Sequence, residues 1–267
     1  MAMRMVVTVV TCFSLMMSLQ AQKPGRAGGR GGPASWLMPP VEGANLHYLT
    51  FDSKVVEQKV SYLLYLPDAY EEKPIDRFPV VYWLHGIGGS QAGVPRLTTQ
   101  VSEAIKDGKM PPIIMVFANG MKDSFYCDAV NAVCPIETVI MTELIPHIDA
   151  TYRTIPKREG RMIEGFSMGG YGAAHLGFKY PEQFCAVSII DGALVDLQIM
   201  KRRHVRQLNR IFDGKEELFL AAHPLTLAEK NTGQIKDRMT IRQIPAKLVQ
   251  PNRQLHELLT KSGIAGC

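Results

Sequence analysis

Residues Ile163–Ala173 read IEGFSMGGYGA. Within them, Gly165, Ser167 and Gly169 form a Gly-x-Ser-x-Gly core. The segment Arg161–Gly165 leads in like a strand, and small residues follow over Gly169–Lys179 like a helix. That order predicts a strand, a sharp turn and a helix. Such a turn lifts a serine hydroxyl above the end of a sheet, and flanking glycines leave room where strand and helix nearly touch. The amino end of the helix then favours negative charge beside the serine. A serine in an ordinary turn is the plain alternative. The strand before and the helix after favour Ser167 as a nucleophile.

A second motif lies upstream. Trp83–Ser90 reads WLHGIGGS, an apolar strand end running into a glycine-rich loop. A developing oxyanion needs backbone N–H groups aimed at it. In this arrangement one comes from the residue after the nucleophile, Met168, and another from the loop after the third strand. Ile87 is the expected second donor, with Gly88 next to it. Gly86 belongs to the turn, where backbone must come close to substrate. His85 precedes the turn and is expected to brace the loop rather than to act as a base.

The rest of the chain alternates. Leu46–Phe51 and Lys59–Leu66 have the pattern of antiparallel strands. Phe78–Leu84 and Pro112–Phe117 are short apolar strands, as is Ala186–Ile190. Val101–Lys106, Glu137–Tyr152 and Gly169–Lys179 have helical spacing, with Pro146 expected to bend the second. Mostly helical polar segments run on to Arg238. Thr240–Ile244 reads as a further strand and Asn252–Lys261 as an amphipathic helix. Short apolar strands alternating with helices imply a mostly parallel sheet covered on both faces. The fold class is α/β, with the plan of the α/β hydrolases, and chemistry is expected at the carboxyl ends of the strands.

HGIGG followed by EGFSMGGYGAAHLGFKYPEQF resembles the "Putative esterase" family of α/β hydrolases. That family includes feruloyl esterases, S-formylglutathione hydrolases and mycolyltransferases. The similarity is strongest to secreted feruloyl and acetyl-xylan esterase domains and covers roughly Asn45–Gly263. It implies a serine esterase working through an acyl-enzyme. It also implies an acid just before the last amphipathic helix, and a histidine beyond one more strand. Matching Ile241–Leu259 to that helix places Ala246 near the acid position. No Asp follows Asp237 and no His follows His256. The expectation is therefore a domain with its final strand and helix missing.

The fallback acid is Asp191, which ends the strand after the elbow. Among the seven histidines, none has the expected context; His223, in an insertion that could overhang the site, is the nearest substitute. Asp128 is a candidate substrate contact, with plain loop structure as its alternative. Pocket walls are expected in Gln91–Thr99, Gly120–Pro135 and Val195–Lys230, where Phe125, Tyr126, Phe212 and Phe219 are open between packing and substrate contact.

Bulk properties set the boundaries. The chain has 267 residues, 30 Lys and Arg against 25 Asp and Glu, and a net charge of +5. The densest basic cluster, Lys201–Arg206, lacks interleaved aromatics and reads as a solvated helix face, not a nucleic-acid site. Met1–Ala21 has a basic start, an apolar run over Met5–Leu19 and a small residue at its end, the form of a signal peptide. The run is short for a membrane span. Residues 22–44 read as a flexible linker rich in Gly, Pro and Arg. The domain is assigned to 45–267, and the location to the exterior or periplasm. Cys127 and Cys134 could staple one loop or stay reduced, and Cys185 reads as a buried thiol. No metal site and no cofactor is implied, and the oligomeric state is not readable. The expected partner is an ester, small or linked to plant polysaccharide, with feruloyl and acetyl groups first. The alternatives are an inactive homologue that binds carbohydrate or ester, and an acyltransferase using the same serine.

Overall fold

The computed structural model describes residues 35–235, 239–244 and 247–264. The expected signal peptide, the expected linker up to residue 34, and Ala246 lie outside the described residues. So do residues 265–267.

Among the described residues, seven strands form one sheet in the order β1-β2-β4-β3-β5-β6-β7. They are β1 (Leu46–Ser53), β2 (Gln58–Tyr65), β3 (Val80–Leu84), β4 (Ile114–Ala118), β5 (Arg161–Phe166), β6 (Ala186–Ile190) and β7 (Thr240–Ile244). β1 pairs antiparallel with β2, and β2 antiparallel with β4. Every later pair is parallel. This is the α/β-hydrolase arrangement, an antiparallel lead-in followed by a doubly covered parallel sheet.

The strands are apolar along their length because both faces are buried. Tyr82 and Leu84 of β3, Val116 of β4, Ile163 of β5 and Ile189 of β6 face one core. Val81 and Trp83, Met115 and Phe117, and Met162 face the other. The helices are α1 (Ala69–Glu72), α2 (Val94–Lys106), α3 (Ile136–Thr138), α4 (Ile145–Thr151), α5 (Met168–Lys179), α6 (Leu197–Arg203), α7 (Val205–Phe212), α8 (Glu216–Ala222), α9 (Pro224–Lys230), α10 (Thr232–Ile235) and α11 (Val249–Lys261). α2 covers the second core through Val94, Leu97, Val101 and Ala104. α5 and the insertion α6–α10 cover the first. None of these helices is long and apolar enough to cross a membrane.

Three expectations need correction. α2 starts at Val94, seven residues before the expected Val101, because Pro95 fits the first helical turn, where its missing N–H costs nothing. The helix expected over Glu137–Tyr152 contains a π-helical turn, Val139–Leu144, in which Ile145 N–H reaches Ile140 O. That wider turn comes immediately before Pro146, which has no N–H to continue an α ladder. The packed domain also begins earlier than residue 45. Trp36 and Met38 are buried, the Ser61 N–H donates to Trp36 O at 2.9 Å, and Met38 N–H to Ser61 Oγ at 2.7 Å.

Candidate active site

β5 ends at Phe166 and α5 begins at Met168, leaving Ser167 alone in the turn with φ 56° and ψ −114°. A non-glycine residue in this region is strained and persists only where its surroundings fix it. They do so here. Ser167 N–H donates to Ile190 O at 2.9 Å, and Ser167 O accepts from Tyr171 N–H and Ala193 N–H. The glycines make the turn sterically possible. A Cβ at Gly165 would lie 2.1 Å from Gly169 O, and one at Gly169 would lie 1.9 Å from Leu84 O.

The glycine loop after β3 comes against the same turn. A Cβ on Gly86 would sit 3.3 Å from the Phe166 ring and 3.5 Å from Ser167 Cβ. His85 is buried and bonded on both ring nitrogens. Nδ1 donates to Gly86 O at 2.8 Å, and Nε2 accepts from Gly120 N–H at 3.0 Å. Burial holds its pKa below the ordinary imidazole value, with the Gly86 carbonyl opposing, so the ring is a neutral tether between two loops. Tyr126 adds a bond from its hydroxyl to His85 O.

Gly88 is a correction. Its N–H is committed to Lys122 O at 2.6 Å, which leaves it no proton to offer at the serine. Ile87 and Met168 instead line one cavity with Ser167. Ile87 N–H has no acceptor among the described residues. Met168 N–H is the first amide of α5, which no carbonyl inside the helix can reach.

That cavity encloses about 330 Å³. Its walls are Phe125 from the loop after β4, Val195, Ile199, Arg203 and His204 around α6, and Lys247–Pro251 at the start of α11. The insertion therefore does overhang the serine, but Gln91–Thr99 is not among the lining residues. Tyr126, Phe212 and Phe219 are packed in the core.

The imidazole that shares the cavity with Ser167 is His204, not His223. His204 sits between α6 and α7, half-buried, with its ring edge-on to Phe125 at 5.8 Å between centroids. Burial first, and the neighbouring Arg203 charge second, keep its pKa below the ordinary value. His223 is buried and caps α9. Its Nδ1 accepts from Leu225 N–H, and its Nε2 donates to Val195 O at 3.1 Å. Burial outweighs the Val195 bond and the Asp196 charge, and lowers its pKa to about 4. Both nitrogens being used, His223 holds the insertion down.

Asp191 stands at the end of the strand after the elbow, as the sequence placed it. It ends β6 at φ 46°, buried, and Oδ1 accepts from Lys247 N–H at 2.7 Å and Leu248 N–H at 2.6 Å. The carboxylate anchors the β7–α11 segment that forms one cavity wall. Asp128 is occupied by Thr138, taking its N–H at Oδ1 and its hydroxyl at Oδ2, and it does not line the cavity. Cys127, Cys134 and Cys185 are free thiols, so the loop staple is not formed. Burial pushes Cys185 up to about 11.

A family model described as "Putative esterase" matches residues 53–200, more than half of the chain. The chain belongs to that family. An endo-1,4-beta-xylanase/feruloyl esterase of Xylanibacter ruminicola is 29% identical to this esterase-family chain over 156 residues, covering 55% of the chain and 22% of the relative. An esterase of Mycobacterium tuberculosis is 32% identical over 150 residues, covering 55% and 32%. The chain thus spans a third or less of the length of these two relatives. Among solved structures, a ferulic acid esterase matches with a TM-score of 0.70 at 22% identity, over 83% of the chain and 87% of that structure. That match shows the shared fold.

The sequence reading missed His204, Arg203 and Lys247 as cavity residues. Their local sequence carries no catalytic motif. Arg203 and His204 sat inside a basic run that reads as a solvated face, and most of that run is exposed.

Proposed function

We propose that the chain is a serine carboxylic-ester hydrolase, exported by its leader, that acts through an acyl-enzyme on feruloyl or acetyl esters of plant polysaccharide. The observation that carries this reading is the strained Ser167 turn at the mouth of a cavity flanked by the Ile87 and Met168 amides. The feruloyl esterase named among its relatives supports the acyl group.

In this reading Ser167 Oγ attacks the ester carbonyl while His204 takes its proton. The Ile87 and Met168 N–H groups hold the carbonyl oxygen as it becomes an oxyanion. The intermediate collapses, the C–O bond to the alcohol breaks, and the imidazolium gives its proton to the departing alcohol. Water then attacks the acyl-enzyme with His204 again as base, releasing the acid and restoring Ser167. A base must be unprotonated to work, and the lowered pKa of His204 keeps it so near neutral pH. Asp191 acts by positioning, through the wall that it anchors.

One observation favours a second reading, an esterase homologue that binds its ligand and turns it over slowly. No hydrogen bond orients His204 among the described residues. A triad imidazole without its orienting acid loses about 10⁴-fold in turnover. The two readings part under mass spectrometry. Incubation with a 4-nitrophenyl ester should leave an acyl group on the peptide containing Ser167, followed by its loss with time. An unmodified Ser167 peptide at every time, with no release of 4-nitrophenol, would refute the hydrolase reading.

A further inference from the structure

Two cations from separate elements reach the cavity that holds Ser167. Arg203 ends α6, and Lys247 lies in the segment before α11. No Asp or Glu is among the residues that line it. Both side chains are exposed, and neither has an ion-pair partner among the described residues. Two neighbours differ in this respect. Lys201, on the same helix as Arg203, pairs with Glu216, and Arg210 pairs with Asp123 at 2.6 Å. Glu216 and Asp123, two nearby carboxylates, are thus occupied by other cations.

The backbone of Lys247 is held in place. Lys247 N–H is held by Asp191 at 2.7 Å, which fixes the root of a flexible side chain. Asp191 itself is buried beneath that segment, where it receives two amides. The Arg203 charge is felt inside the site, since it disfavours protonation of His204. A cleft lined by one sign of charge, with apolar walls, concentrates ligands of the opposite sign. Val195, Ile199, Leu248 and Phe125 supply such walls.

We infer that the Ser167 cavity selects esters that carry an anionic group, such as a carboxylate, close to the scissile bond. This rests on the proposed function for the location of the site, and it adds the charge of the substrate. The anionic group contacts Arg203 and Lys247 while the carbonyl lies over Ser167. It can sit on either the acyl or the alcohol side of the ester.

The test is binding to the full chain carrying Ser167→Ala, so it does not depend on turnover. Two matched pairs are titrated calorimetrically. On the acyl side they are 4-nitrophenyl 4-carboxybenzoate and its 4-carbamoyl counterpart. On the alcohol side they are 4-acetoxybenzoate and 4-acetoxybenzamide. In at least one pair the anion should bind about tenfold tighter at low ionic strength, with the preference shrinking as salt is raised. The pair showing it assigns the side. Adding Arg203→Gln and Lys247→Gln together should bring the ratio to about one. Equal binding within both pairs overturns the inference, as does a preference that survives the double substitution. A chain that shows the preference but forms no acyl adduct at Ser167 would retain this inference and lose the hydrolase reading.

Discussion

Ser167 and His204 line the same 330 Å³ cavity, the serine from the strand–helix turn and the imidazole from the insertion between α6 and α7. If His204 takes the serine proton, His204→Ala should lower kcat/KM by about 100-fold or more, with the far-ultraviolet circular dichroism unchanged. An unchanged rate would remove His204 from the mechanism.

The protonation state of His204 gives a second prediction. If His204 is the base, the neutral ring is the active form, and kcat/KM should fall as pH drops through a pKa below the ordinary imidazole value. Arg203 contributes to that lowering, so Arg203→Gln should move the acid limb to higher pH. A limb that stays in place or moves down would contradict the assignment.

Asp191 holds the opposite wall. Asp191→Ala would leave Lys247 and Leu248 N–H without their shared acceptor. These hydrogen bonds are part-buried, and one to a charged group contributes about 1.5–3 kcal/mol. Chemical denaturation should show a loss of about 2–4 kcal/mol, and KM should rise because the wall loosens. Asp191→Asn keeps an acceptor oxygen and should lose less. Equal losses from both substitutions would mean that the amides are not what the carboxylate serves.

The elbow itself is testable through Gly169. An alanine there would drive Cβ to within 1.9 Å of Leu84 O, a contact with backbone that no side-chain rotation relieves. Gly169→Ala should cost about 3–5 kcal/mol or prevent folding. Gly93→Ala, where nothing lies within 4 Å, is the matched control and should cost little.

A fifth prediction concerns pH and stability. Glu164 faces the sheet surface that it shares with its β-partners Trp83 and Ser188. Burial raises its carboxyl to about 7, with the Ser188 hydrogen bond and the Arg242 charge opposing. The folded state then holds a proton that the unfolded state has released between roughly pH 4.5 and 7. Stability from this group is therefore present at low pH and falls as pH rises through that window. Glu164→Gln should flatten the fall. A wild-type protein whose stability rises between pH 5 and 7 as steeply as that of the variant would rule the effect out.

The sheet was legible because each parallel strand is buried on both faces and so reads as a short apolar run. The elbow was legible because its steric demand admits few residues at 165 and 169. The cavity walls were not. His204, Arg203 and Lys247 come to the cavity that holds the serine through the path of the insertion and through the Asp191 bonds to Lys247 and Leu248, which span more than fifty residues. Ordinary polar residues placed by long-range packing leave no local pattern. Gly88 shows a subtler limit. Sequence placed two adjacent residues in the oxyanion loop, but only the Lys122 carbonyl decides which amide remains open.

The central claim is that Ser167 is a nucleophile. The most direct measurement is the steady-state hydrolysis of an activated feruloyl or acetyl ester by the chain and by its Ser167→Ala variant at equal concentration. The account predicts sustained turnover that the substitution lowers to near the uncatalysed rate. Turnover equal in the two proteins would contradict it.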